Sequence, residues 1–200
     1  MDTSKQNVVL LHGRFAERIN GTLIADIPLC DPNNEGNWMG WTKKELEKRG
    51  YEAVCPVIVD VWKARYEQWK AELDKVRIDE NTTLVGLSAG GYALLRYLGE
   101  SGKKVKKVIL LAPGSPGDLG SVPALPYTEE FYAYPITEAI QSLVQEQIVI
   151  FVSNDADFIL RGVAFYKTVL NPRVVELENR GHFSFLFPEL PELLEEITRL

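Results

Sequence analysis

The sequence predicts an α/β fold, a three-layer α/β/α sandwich on a six-stranded parallel sheet, carried by one domain over residues 1–200. Three observations lead there. Short apolar runs alternate with helix-period segments from one end of the chain to the other. The runs are continuous rather than alternating, as in strands covered on both faces. Finally, 200 residues of 46% hydrophobic content are enough to bury one ordinary core.

In chain order, the expected strands are 8–11, 52–57, 83–87, 105–111, 148–152 and 173–177. Between them, residues 41–49 read as a helix closed by Gly50, and Trp62, Tyr66, Trp69, Leu73 and Val76 form one apolar helical stripe. Further helices are expected at 89–98, at 159–170 ending near Pro172, and at 190–200. Two segments break the rhythm, 14–37 and 112–135. The second carries Pro113, Pro116, Pro123, Pro126 and Pro135, and its Tyr127, Phe131, Tyr132 and Tyr134 supply too much apolar area for a linker. It reads as a minimal cap over a pocket, against the plainer alternative of a loop packed for stability.

A net charge of −6 and a pI near 5.1 argue against nucleic acid as a partner. No apolar stretch reaches the roughly 20 residues that span a bilayer, and the first residues lack a basic region leading into a signal-peptide core. A cytoplasmic protein without membrane contact is the expectation. Cys30 and Cys55 have neither disulfide-framework nor zinc-site spacing, and no metal or cofactor is expected.

The chemistry is expected at Gly86-Leu87-Ser88-Ala89-Gly90, directly after an expected strand and opening an expected helix. Such an elbow lifts a serine off the sheet, and its neighbours must be small, as Gly86, Ala89, Gly90 and Gly91 are. The helix N-terminus then favours the negative charge that develops when a carbonyl is attacked. A phosphate cradle is the rival reading of a glycine-rich turn, but neither nucleotide-loop pattern is present.

A serine needs a base, and of the two histidines only His182 lies after Ser88, on a loop beyond the sixth strand. His12, in Leu10-Leu11-His12-Gly13-Arg14, is given no proton-transfer role. Gly13 lets the backbone pass close to the nucleophile, so that the amides of Arg14 and Ala89 could form an oxyanion hole. The acid should follow the fifth strand, in Ser153-Asn154-Asp155-Ala156-Asp157-Phe158. Asp155 is the first choice and Asp157 the alternative, the latter also suited to capping the next helix.

These motifs, with Trp38-Met39-Gly40-Trp41, the stretch Lys43 to Glu52 and Gly181-His182-Phe183, resemble the α/β-hydrolase superfamily, specifically small serine hydrolases like retinoblastoma-binding protein nine. The resemblance spans nearly the whole chain. It implies sheet order 2-1-3-4-5-6, a Ser-His-Asp triad on Ser88 and His182, and cofactor-free hydrolysis of small-molecule esters or amides. The acid departs from the pattern: an aspartate followed by proline is usual, whereas Ala156 and Asp157 occupy that stretch here. The irregular acid keeps a second class open, in which the fold serves as a catalytically weak protein- or ligand-binding module.

Overall fold

The computed structural model describes residues 5–116 and 127–199. Its main sheet has six parallel strands: β1 (Asn7–Leu11), β4 (Glu52–Val54), β5 (Thr82–Leu87), β6 (Lys107–Leu111), β7 (Ile148–Val152) and β8 (Arg173–Glu176). They lie in the order β4-β1-β5-β6-β7-β8, which is 2-1-3-4-5-6 counted within this sheet. Strands β1, β5, β6 and β7 are buried at every position, as continuous apolar runs require, and the edge strands β4 and β8 are partly open.

Because side chains alternate across a strand, the sheet feeds two cores. Val9 and Leu11 join Leu84, Leu110 and Ile150 against α2 (Tyr66–Leu73), α3 (Ala89–Ser101) and much of α5 (Asp157–Leu170). Val8 and Leu10 join Val85, Ile109 and Val149 against α1 (Trp38–Lys48) and α6 (Pro191–Thr198). The register sets Leu11 beside Gly86, Leu87 beside Leu111 and Val152 beside Glu176. Thus residues 12–14, 88, 112–116 and 153–155 leave the same edge of the sheet, where ligands of open α/β sheets bind.

Several expected elements are corrected. Helix α1 starts at Trp38 rather than at residue 41, because the buried Asn37 side chain accepts from the amides of Met39 (2.9 Å) and Gly40 (3.0 Å). The stripe from Trp62 to Val76 is not one helix: a 3₁₀ turn at Val61–Lys63 ends on Ala64, whose φ of 49° is incompatible with continuing it, and α2 begins only at Tyr66. Residues 14–37, which break the expected rhythm, hold local structure of their own. They contain a hairpin, β2 (Arg18–Ile19) with β3 (Thr22–Leu23), turned by Asn20 and Gly21 at φ 50° and 82°, and then two 3₁₀ turns.

Of the segment 112–135, residues 117–126, with Pro123 and Pro126, lie outside the described residues. The stretch from Tyr127 onward is tied to the core. The short helix α4 (Thr128–Phe131) buries Phe131 completely, against Trp69 at 5.4 Å and Tyr92 at 5.8 Å. Arg96 lies 3.7 Å over the Tyr66 ring and donates to the carbonyls of Glu130 and Phe131, closing the C-terminal end of α4. Among the described residues no helix is long and apolar enough to cross a membrane.

Candidate active site

Ser88 stands between β5 and α3 with φ 52° and ψ −122°, a conformation that costs a non-glycine residue about 1–3 kcal/mol unless its surroundings impose it. They do. Its amide donates to Leu111 O (2.9 Å), and its carbonyl accepts from Gly91 N (3.0 Å) and Gly114 N (2.9 Å). The small neighbours are required sterically: a Cβ on Gly90 would fall 2.3 Å from His12 O, and one on Gly86 would fall 2.6 Å from Gly91 Cα. Ala89, as first residue of α3, contributes one of the amides that a helix leaves without an internal partner.

Gly13 brings the chain after β1 against Ser88, for a Cβ there would lie 3.0 Å from Ser88 Cβ. Arg14 comes directly after it, and its guanidinium donates to Thr128 Oγ1 on α4 (3.4 Å). The turn is fixed by His12, which is 2% exposed. Its Nδ1 donates to Gly13 O (2.8 Å) and its Nε2 accepts from the Ile58 amide (3.0 Å), which assigns the neutral ring with its proton on Nδ1. Burial pulls its pKa down from 6.5 to about 4, outweighing the opposite pull of the Gly13 carbonyl and Asp31.

At the other end of the site, His182 Nδ1 donates to Asp155 Oδ2 at 2.6 Å. The carboxylate is well covered, with 6% of its side chain exposed against 43% for the imidazole. Its other oxygen accepts from Ala156 N (2.7 Å). With Nδ1 committed to the carboxylate, the neutral ring keeps its lone pair on Nε2. Asp157 does not share this position. It opens α5 from an exposed site, and it does not cap that helix, because the capping position is Ala156, with no side-chain bond.

The two loops carrying the pair are held to each other by residues that sequence reasoning missed. Ser153 Oγ accepts from Arg180 N (3.0 Å) and donates to Asn154 Oδ1 (2.8 Å), and that oxygen also accepts from Gly181 N (3.3 Å). Phe183, 1% exposed, fixes the far side of the histidine loop, its carbonyl accepting from Trp38 Nε1 (3.0 Å). The Trp-Met-Gly-Trp run was the available signal for that contact. Tyr132, expected only as part of the cap, also borders the site: a Cβ on Gly114 would lie 2.7 Å from Tyr132 Oη and 3.5 Å from Ala89 N, so hydroxyl and amide border one small space.

No group of three or more His, Cys, Asp or Glu side chains suited to a metal ion occurs among the described residues. Cys30 and Cys55 are free thiols, the latter pushed up to about 12 by burial. Neither is poised for nucleophilic work.

No family model matches the chain. Solved structures do. It is similar to the ydeN gene product of B. subtilis, with a TM-score of 0.74 and 21% identity over 97% of both chains. It is also similar to a pyrethroid hydrolase from Sphingobium faniae JZ-2, with a TM-score of 0.61 and 15% identity over 97% of this chain and 96% of that one. Est1E from Butyrivibrio proteoclasticus, whose structure is also known with ferulic acid bound, matches with a TM-score of 0.62 and 13% identity over 96% of this chain and 85% of that one. Six parallel strands in this order, with helices on both faces and these structural neighbours, make the fold of this chain that of the α/β hydrolases.

Proposed function

We propose that the chain is a serine hydrolase that cleaves small carboxylic esters or amides through an acyl-enzyme on Ser88. The observation that carries this reading is the 2.6 Å bond from exposed His182 to covered Asp155, at the sheet edge from which the strained Ser88 projects. A carboxylate on Nδ1 holds the ring in the tautomer that can accept a proton and stabilises the cation formed when it does.

His182 takes the Ser88 hydroxyl proton as the oxygen attacks the carbonyl carbon. The oxyanion is held by the amides of Ala89 and Arg14, the first at a helix N-terminus and the second on the turn that His12 fixes beside Ser88. Each such donor is worth about 10²–10³ in rate. His182 returns the proton to the leaving group, then deprotonates the water that frees the acid and restores Ser88. A structural neighbour named as a pyrethroid hydrolase supports the hydrolase reading.

Labelling by a fluorophosphonate probe tests the nucleophile. The intact protein should label and Ser88→Ala should not, and turnover of p-nitrophenyl acetate should vanish in His182→Ala. An unlabelled protein without turnover would return the fold to the role of a binding module.

A further inference from the structure

A cavity of about 370 Å³ opens between the first insertion, residues 14–37, and the segment that comes after β4. Its inner wall is apolar: Ile24, Ile58 and Val61 are 7%, 4% and 4% exposed, and the His12 ring completes it. At the mouth Val57 and Val59 turn apolar side chains to water, 50% and 65% exposed. Phe15, also on the lining, stacks at 5.8 Å on His12 and packs at 5.0 Å on Phe185, three residues beyond His182. The volume is in the range of small-molecule sites.

We propose that this cavity seats the acyl arm of the ester that Ser88 attacks, a neutral aromatic or branched aliphatic group. The assignment rests on the serine-hydrolase reading and adds the pocket that selects the substrate. Charge sets the class of occupant: the lining carries the carboxylates Asp31 and Asp60, the second paired with Lys63, and neither Lys nor Arg lines it among the described residues. An anionic arm would meet like charge without a partner.

Position relates the cavity to the chemistry. Both partners of the bond from Ile58 N to His12 Nε2 form its wall, and His12 in turn holds Gly13, which abuts Ser88. The cavity therefore adjoins the turn that lies beside Ser88.

The test compares p-nitrophenyl acetate with p-nitrophenyl phenylacetate. Val61→Trp fills the cavity, and Val59→Asp puts a charge at the exposed mouth without disturbing the core should the first variant not fold. Each variant that folds is expected to lower kcat/KM for the phenylacetate about ten-fold or more, mainly through KM, while acetate turnover and fluorophosphonate labelling stay within about two-fold. Equal losses on both esters, or none on either, would overturn the proposal.

Titration of Ser88→Ala with benzyl alcohol, followed by fluorescence of Trp62 in the cavity lining, separates this idea from the hydrolase reading. Saturable binding that Val59→Asp weakens supports an apolar site even if no ester is turned over. Saturable binding with unchanged ester selectivity would show a site for free molecules and overturn its assignment to the substrate arm.

Discussion

The two histidines leave the same edge of one sheet and are held in opposite ways. His12 is 2% exposed, with both ring nitrogens bonded to backbone and its pKa drawn down to about 4. His182 has 43% of its side chain exposed and gives one nitrogen to a carboxylate. A ring with both nitrogens occupied can pin a backbone turn but cannot take a proton without losing a bond. A ring with one nitrogen occupied by a carboxylate is oriented and still basic at the other. The difference lies in the partners, not in the residue type.

Three perturbations would break or sharpen this contrast. The largest effect is expected at Asp155. Asp155→Asn keeps the shape but favours the wrong tautomer of His182, so kcat should fall by about 10⁴, as in triads treated this way, while the protein stays folded by circular dichroism. Retained turnover would remove Asp155 from the mechanism.

The second concerns His12. Because its folded pKa lies below the ordinary 6.5, the unfolded chain binds a proton first as pH falls. Stability is therefore fully present above pH 6.5 and lost toward pH 4, by up to about 3 kcal/mol. Urea unfolding at several pH values should show this loss, and its difference from His12→Phe isolates the contribution. A wild-type profile no steeper than that of the variant would contradict the pinned neutral ring. Smallest is Asp157→Ala, which should leave kcat/KM within about two-fold, since Asp157 is exposed at the start of α5 and no cap is lost. A large drop there would move the acid from Asp155 to its neighbour.

The sheet was readable because β-branched and leucine runs covered on both faces have few alternatives, and residues 148–152 were assigned to the residue. What escaped depended on the third dimension. The start of α1 is set by Asn37, whose side chain also donates to the carbonyls of Leu29 and Asp31, contacts that require the first insertion to be folded. The break at Ala64 rests on a positive φ at a residue that ordinarily avoids it. Asn20-Gly21 was a legible hairpin signal passed over inside a segment read as loop.

Ser88 and His182 could be picked out by order along the chain. Between the two aspartates the sequence supports a preference for Asp155, the one that meets His182, but no more, since one or two residues past a strand end decide whether a side chain turns toward the sheet edge or starts the next helix. Ser153 and Asn154 are ordinary polar letters until two loops are brought side by side.

The backbone angle at Ser88 carries a consequence for how such a chain can change. A left-handed φ is one that glycine adopts freely, so the proposed nucleophile occupies a position where the unsubstituted backbone would be more at ease. Chains freed from the need to react could drift toward glycine there, gaining robustness as they lose chemistry. The serine is thus the point at which this fold holds reactivity against its own stability.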